Sequence, residues 1–244
     1  MAGKLQNQTV IITGASAGIG QASARSLMRE GANLMLTARR KDRMEELVAE
    51  AKRLGSQAAF VTGDAREEET ARRTVEETVK LFGRIDVLIN NAGVGNYKNV
   101  VDTSAADYDE MMDANMRSGF LFTRHAVPVM IQQKSGLLLF VSSMAGVYGF
   151  AGEAVYCATK FAQVGFAQGL DKELRAYGIK VGTINPGGVK TEFAIGKGRT
   201  EAGVANSGML EAEDVAEAIR FACTQRREAR IIQIQMRPME EPLA

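Results

Sequence analysis

The fold of this chain is decided by the stretch Thr13-Gly14-Ala15-Ser16-Ala17-Gly18-Ile19-Gly20, which lies between a β-rich run and a helical pattern. The run is Thr9–Thr13, and the helical pattern extends from about Ile19 to Arg29. Glycines at such a turn let the backbone bend tightly and approach a pyrophosphate, which then lies on the helix N-terminus. A purely structural turn is the alternative, because 25 glycines are spread through the chain; the flanking strand and helix favour the phosphate-binding turn.

Strand and helix patterns alternate along the rest of the chain. Further strands are predicted at Asn33–Ala38, Ala58–Thr62, Ile85–Ile89, Leu137–Ser142, Lys180–Ile184 and Ile231–Gln235, and further helices at about Lys41–Leu54, Glu67–Phe82, Ala105–Gln132, Glu153–Tyr177 and Ala212–Thr224. Repeated strand-helix-strand units imply right-handed crossovers and a parallel sheet. The sequence therefore predicts one α/β domain over residues 1–244, with a doubly wound parallel sheet and helices on both faces.

The composition excludes several classes of protein. The net charge is +1, with 30 Lys+Arg against 29 Asp+Glu, so no basic excess favours nucleic acid or a membrane surface. Two cysteines and one histidine make a zinc site untenable, and no metal is predicted. The first eight residues contain no apolar stretch of signal-peptide length, and no apolar run has the length of a membrane span. We therefore expect a cytoplasmic, reduced protein, although one disulfide stays an alternative.

Four segments, in order along the chain, resemble motifs of the short-chain dehydrogenase/reductase family. They are the glycine octet, Asn90-Asn91-Ala92-Gly93 after the fourth strand, Tyr156-Cys157-Ala158-Thr159-Lys160, and Asn185-Pro186-Gly187 with Val189 and Thr191. The resemblance extends from about Thr9 to Thr191. It implies a Rossmann fold and an oxidoreductase that passes a hydride between a nicotinamide cofactor and a small alcohol or carbonyl substrate.

The same resemblance implies a set of cofactor contacts in these motifs and at the ends of the second and third strands. The set is Gly14, Ser16, Gly18, Ile19, Gly20, Arg39, Arg40, Asp64, Ala65, Asn91, Ala92, Gly93, Tyr156, Lys160, Pro186, Gly187, Val189 and Thr191. Asp64 resembles the family acid that meets the adenine. Capping of the following helix is its alternative role, and the two are compatible.

The residues after the second strand indicate which cofactor is used. An acid that binds the ribose 2′-hydroxyl is expected about 20 residues past the glycine turn, but Arg39 and Arg40 stand there. A guanidinium pairs with a 2′-phosphate, which a carboxylate would repel. We therefore predict NADP(H) over NAD, with Ser16 adding a hydroxyl. The alternative is that both arginines are ordinary solvated residues.

Tyr156 and Lys160 are four residues apart on a predicted helix, so they share one face. A free tyrosine titrates near 10, and a nearby ammonium, together with the charge of the oxidised nicotinamide, stabilises the phenolate and brings that pKa toward the working pH. Tyr156 is therefore predicted to be the general acid/base.

Two further residues have the separations of the family's catalytic group. Ser143 lies 13 residues before Tyr156, and its hydroxyl is predicted to hold the substrate oxygen. Ser142 is the competing candidate, since strand alternation points the two side chains in opposite directions. Asn115 lies 41 residues before Tyr156 and resembles the asparagine that holds a water beside the lysine. A plain polar helix residue is the alternative for Asn115, whereas Cys157 is interpreted as a packing residue.

The last third of the chain bears on substrate and assembly. The segment from Thr191 to Leu210 resembles the family's substrate lid, and Gly196, Gly198 and Gly203 predict that it closes as a mobile loop. The ending Ile231–Met239 departs from the commonest family pattern and resembles the branch that contains NADP-dependent 3-hydroxy acid and serine dehydrogenases. A homotetramer or homodimer built on the long helices is expected.

Three functions remain open at this point. The first is the NADP(H)-dependent alcohol or carbonyl oxidoreductase. The second is a non-catalytic dinucleotide-sensing regulator on the same fold, because fold alone does not fix function. The third is an epimerase or dehydratase that uses the hydride transiently. The intact set Ser143, Tyr156 and Lys160 favours an enzyme over a sensor.

Overall fold

The alternating pattern forms a single seven-stranded sheet in the computed structural model, which describes residues 3–240. The strands are β1 (Thr9–Thr13), β2 (Asn33–Ala38), β3 (Ala58–Thr62), β4 (Val87–Asn90), β5 (Gly136–Val141), β6 (Ile179–Pro186) and β7 (Gln233–Met236). Their order is β3-β2-β1-β4-β5-β6-β7, and all six neighbouring pairs are parallel. The predicted doubly wound parallel sheet is confirmed. The expectation for the first eight residues falls partly outside the described range.

Eight α-helices accompany the strands in residues 3–240. They are α1 (Gly18–Arg29), α2 (Lys41–Arg53), α3 (Glu68–Phe82), α4 (Ala105–Met112), α5 (Ser118–Gln133), α6 (Ala154–Leu174), α7 (Glu201–Ala205) and α8 (Ala212–Cys223). Within this part of the chain, no helix combines the length and the apolar character needed to cross a bilayer.

Several elements differ between the prediction and the structure. The helix predicted over Ala105–Gln132 is interrupted by a π-helical turn at Asp113–Arg117, which widens the backbone around Asn115. The fourth strand begins at Val87 rather than Ile85, because the Asp86 carboxylate accepts the Thr9 N–H at 2.8 Å where the ladder would continue. Helix α7 was not predicted; it is one short amphipathic turn whose start Thr200 caps.

The core lies in two layers, one on each face of the sheet. Within β1, Val10 and Ile12 pack in the layer under α1, α2 and α8, whereas Ile11 packs in the layer under α3, α5 and α6. Each fully buried side chain of this kind contributes about 1.5–3 kcal/mol relative to exposure. Burial on both faces therefore explains why the strands read as continuous apolar runs.

The chain reverses its winding direction between β1 and β4. These neighbouring strands are followed by loops that lead to opposite faces of the sheet, so a crevice opens at their carboxyl ends. The glycine turn follows β1 and the segment Asn91–Gly93 follows β4, which puts both motifs at this crevice.

Candidate active site

Backbone geometry favours glycine at three positions of the turn. Gly14 and Gly18 have φ of +65° and +50°, in the left-handed region that glycine favours. A Cβ on Gly20 would lie 2.4 Å from the Gly14 carbonyl oxygen. No side chain of residues 3–240 caps the start of α1 at Ala17, so its first backbone N–H groups are available to an anion. These features fit a pyrophosphate.

Hydrogen bonds of Thr13 and Asn91 connect the two loops of the crevice. The Thr13 hydroxyl accepts the backbone N–H groups of Asn91 and Ala92, each at 3.0 Å. The Asn91 amide donates to the carbonyl oxygens of Thr13 at 2.9 Å and Gly14 at 3.2 Å. Asn91 therefore stabilises the conformation of the glycine turn in addition to facing the crevice. The structural role of Thr13 was missed, although a hydroxyl at a strand end signals such a bond.

A cleft of about 1090 Å³ opens above these loops. Of the predicted cofactor contacts in the described chain, all except Gly20 line it, and so does Ser143. Gly20 instead lies beneath the turn, against Gly14 and the Asn91 amide. Asn115 lies behind the cleft wall. The structure thus brings together residues that are up to 177 positions apart in the octet and the Thr191 motif.

One end of the cleft is positively charged. Arg40 donates from Nε to the Ser16 hydroxyl at 3.2 Å, and Arg39 lines the same end. The Glu192 carboxylate pairs with Arg40 at 2.6 Å and with Arg43 at 3.0 Å, and the Arg40 hydrogen bond lowers the pKa of Glu192. Sequence reasoning missed Glu192 and Arg43; the position of Arg43 three residues after Arg40 on a helix was the available signal.

Asp64 lines the cleft, and its side-chain hydrogen bonds are local. Its carboxylate accepts the Arg66 backbone N–H at 3.0 Å and pairs with the Arg66 side chain at 2.7 Å. The Arg66 hydrogen bond lowers the pKa of Asp64. The alternative of capping α3 is wrong, because these bonds stay within the loop and Glu67 precedes the helix.

Tyr156 and Lys160 are both buried, one turn apart on α6. The Lys160 ammonium nitrogen lies 5.7 Å from the centre of the Tyr156 ring and donates to the Val141 carbonyl oxygen at 3.0 Å. Burial lowers the pKa of Lys160 to about 7. The shared helix face is confirmed.

The pKa of Tyr156 is raised by its surroundings in the chain. Burial, followed by the neighbouring Tyr97, raises it well above its usual value, while a hydrogen bond from Ser143 opposes the rise. The predicted lowering requires the charge of the oxidised nicotinamide as well as the Lys160 ammonium, and it stays a prediction. Desolvation of the phenolate is the largest cause of the rise.

The two serines after β5 have different partners. Ser142 donates from its hydroxyl to the Lys160 carbonyl oxygen at 3.1 Å and so ties β5 to α6. The Ser143 hydroxyl accepts the Ala145 N–H at 3.1 Å and interacts with Tyr156. Of the two candidates, Ser143 is the one that interacts with Tyr156.

Asn115 is fully buried in the π-helical turn. Its side chain exchanges hydrogen bonds with the Val94 backbone, at 2.7 Å and 2.9 Å, and donates to the Thr159 hydroxyl at 2.9 Å. Its backbone carbonyl oxygen accepts a hydrogen bond from the Gln163 amide at 2.6 Å. The polar connection from this turn toward Lys160 therefore passes through Gln163, which sequence reasoning did not single out.

The remaining candidates lie outside this polar group. Cys157 and Cys223 are both free and buried, so the disulfide alternative is wrong, and burial raises the pKa of Cys157. The lid is ordered by contacts: the Tyr97 N–H donates to the Lys197 carbonyl oxygen at 2.9 Å. Gly203, one of the three glycines from which a mobile loop was predicted, lies within α7.

Comparison with known proteins agrees with this geometry. The family model described as short chain dehydrogenase matches residues 8–202. An uncharacterised oxidoreductase of Thermotoga maritima is 36% identical over 187 residues, which cover 77% of this chain and 74% of that protein. The chain belongs to the short-chain dehydrogenase/reductase family of oxidoreductases.

Two solved structures share the fold over nearly the whole chain. A metagenomic short-chain oxidoreductase in complex with NADP is 28% identical, with a TM-score of 0.84 over 98% of this chain and 100% of that one. An alcohol dehydrogenase from the archaeon Thermococcus sibiricus, complexed with 5-hydroxy-NADP, is 25% identical, with a TM-score of 0.88 over 97% and 99%. The predicted family and fold are confirmed; the branch assignment stays a prediction.

Proposed function

We propose that this protein is an NADP(H)-dependent oxidoreductase that acts on the CH–OH group of a small alcohol, or on the corresponding carbonyl, with Tyr156 as general acid/base. One observation carries the proposal: Tyr156 and Lys160 are buried in the same cleft onto which the uncapped N-terminus of α1 opens. A dinucleotide held on that helix end extends along the cleft toward the tyrosine.

The charge at the adenosine end favours NADP(H) over NAD. Arg40 donates to Ser16, Arg39 lines the same end of the cleft, and Arg43 pairs with Glu192, which offsets part of this positive charge. A guanidinium cluster of this kind binds a 2′-phosphate through charge-assisted hydrogen bonds. Two of the structural relatives are themselves complexes with NADP or 5-hydroxy-NADP.

The proton chemistry is assigned to Tyr156 and Ser143. Because burial raises the pKa of Tyr156, its hydroxyl holds a proton at neutral pH and donates it to an alkoxide that develops during carbonyl reduction. The Ser143 hydroxyl, beside it, holds the same substrate oxygen while charge builds up there. The nicotinamide, when bound, supplies or accepts the hydride.

The protonation state of Lys160 sets the charge beside Tyr156. With its pKa lowered to about 7, it changes protonation within the neutral range. Its ammonium form favours loss of a proton from Tyr156, and its neutral form does not. We therefore expect the rate of carbonyl reduction to decline as pH rises through this range.

The test is to follow oxidation of NADPH and of NADH with a panel of ketones, aldehydes and 3-oxo acids, and the reverse reaction with 3-hydroxy acids and serine. NADPH-dependent turnover is expected. Tight NADPH binding without turnover would favour the dinucleotide-sensing regulator. Substrate conversion without net cofactor turnover would favour an epimerase or dehydratase.

Two expectations accompany the proposal. We infer a cytoplasmic location, which imaging of a tagged chain tests. We also infer a homodimer or homotetramer, which sedimentation equilibrium tests, since a monomer at all concentrations would contradict it.

A further inference from the structure

The segment 190–199 begins one residue before the predicted lid, and one of its charges differs from the others. Residues 190–199 contain four charged side chains. Three of them are paired: Lys190 with Glu211 at 2.6 Å, Glu192 with Arg40 at 2.6 Å, and Lys197 with Glu110 at 2.8 Å. The fourth is Arg199, and among residues 3–240 no carboxylate lies within 4 Å of its guanidinium.

Arg199 is next to the rings that surround the proposed catalytic tyrosine. Its guanidinium carbon lies 5.6 Å from the centre of the Tyr97 ring and 5.9 Å from that of Phe193. Those two rings contact Tyr156, with centres 5.4 Å and 5.9 Å away. All four side chains line the cleft. The Arg199 guanidinium therefore lies next to the same two rings that contact Tyr156.

The surroundings hold the guanidinium in place without neutralising it. One N–H donates to the Val189 carbonyl oxygen at 3.3 Å, the Tyr97 side chain is a second hydrogen-bond partner, and the aromatic faces attract the cation. An arginine has five N–H donors, so several remain for a ligand. Because the group is half-buried, a partner anion gains more from pairing there than at a fully solvated surface.

We propose that Arg199 binds a carboxylate of the substrate, so that the enzyme reduces carbonyl compounds that carry an acid group a few bonds from the reacting carbon. This inference rests on the proposed function. A single unpaired positive charge matches a monoanion better than a doubly charged phosphate ester.

The aromatic walls agree with such a substrate. Tyr97 and Phe193 lie between Arg199 and Tyr156, so an apolar spacer joining the acid to the carbonyl packs against them. Planar guanidinium and planar carboxylate form paired hydrogen bonds, which fix the direction in which the carbonyl points.

The experiment compares a 3-oxo acid with its methyl ester, using the ratio of their kcat/KM values with NADPH. The wild-type ratio is expected to favour the acid. Arg199→Gln should lower this ratio about 10- to 100-fold, the range of a lost charge-assisted hydrogen bond, and Arg199→Lys should restore part of it. Lys197→Gln, which removes a lid cation already paired with Glu110, is the matched control and should leave the ratio unchanged.

A purely structural role for Arg199 would lower the rates with acid and ester equally, so an unchanged ratio in Arg199→Gln would overturn the inference. If neither compound is turned over by the wild type, the proposed function fails separately. Calorimetric binding of a 3-hydroxy acid to the protein with NADP then decides the inference. Binding that Arg199→Gln abolishes supports it, and no binding to the wild type refutes it.

Discussion

Gln163 joins the Lys160 ammonium to the backbone of the π-helical turn. Its Oε1 accepts from Lys160 Nζ at 3.0 Å, and its Nε2 donates to the Asn115 carbonyl oxygen at 2.6 Å. The side chain is 2% exposed. Because a carbonyl oxygen accepts only from the amide nitrogen, the amide is held with its oxygen toward the lysine. Gln163 therefore positions Lys160 without touching the cleft.

The first prediction concerns this contact. Gln163→Met keeps the volume but removes the acceptor, so the Lys160 ammonium is less stabilised and its pKa falls further. We expect kcat to drop roughly tenfold and the alkaline decline of the rate to begin at lower pH. Complete pH profiles of kcat measure this. Gln168→Met, an exposed glutamine of the same helix, is the control; a Gln163→Met profile that is lower but not displaced would indicate a packing role alone.

The second prediction concerns the proton donor. Tyr156→Phe keeps the ring packing but removes the hydroxyl, so turnover should fall by about 10²- to 10⁴-fold while NADPH binding is nearly unchanged. Single-turnover assays and NADPH fluorescence measure the two effects, and the chain contains no tryptophan to interfere. Tyr97→Phe, on the adjacent ring, should lose far less activity. Retained activity in Tyr156→Phe would refute its assignment as the acid.

The third prediction concerns the Glu192 carboxylate. It occupies Arg40 and Arg43, the groups proposed to meet the 2′-phosphate, so the two anions compete. Glu192→Gln should tighten NADPH binding about threefold or more and leave NADH binding unchanged, because an exposed ion pair is worth up to about 1 kcal/mol. Dissociation constants of both cofactors provide the measurement. Glu211→Gln removes a carboxylate at the start of α8 that pairs with Lys190, and an equal effect in that variant would argue against competition.

The fourth prediction separates the two neighbouring arginines. Arg39→Asp should shift the NADPH/NADH ratio of kcat/KM toward NADH, because a carboxylate repels the 2′-phosphate and accepts from a ribose hydroxyl. If the ratio moves only in Arg40→Asp, the phosphate contact belongs to Arg40, which already binds Ser16.

The fifth prediction concerns the stability cost of burying Lys160. Its pKa is about 7 in the folded chain against 10.5 for an ordinary lysine, so between these values the unfolded chain binds more protons. The cost is complete below pH 7 and disappears as pH rises toward 10.5. The free energy of unfolding should therefore rise by up to about 1.4 kcal/mol per pH unit in this window.

Lys160→Met lacks that titration and provides the reference. Urea unfolding of both proteins between about pH 7 and 8.5 isolates the lysine, since the buried thiols, whose pKa values are raised, act in the opposite direction at higher pH. If the free energies of unfolding of wild type and Lys160→Met change equally with pH, the lowered pKa of Lys160 is contradicted.

Local patterns in the sequence determined the fold and the centre of the site. Strands such as Thr9–Thr13 and the face shared by Tyr156 and Lys160 follow from the spacing of neighbouring residues, which depends on backbone geometry alone. The glycine turn could also be predicted from the sequence, because the spacing of its glycines reflects the positive φ angles that Gly14 and Gly18 adopt.

Only the tertiary structure decided what surrounds that centre. The Gln163 bond to Asn115 spans 48 residues, and the Arg40 pair with Glu192 spans 152, so no local pattern encodes either. The pKa of Tyr156 rises because packing removes water from its hydroxyl, a property of all the chain segments that cover it. Periodicity along a chain reports local geometry, whereas desolvation and long-range pairing arise only when distant segments pack together.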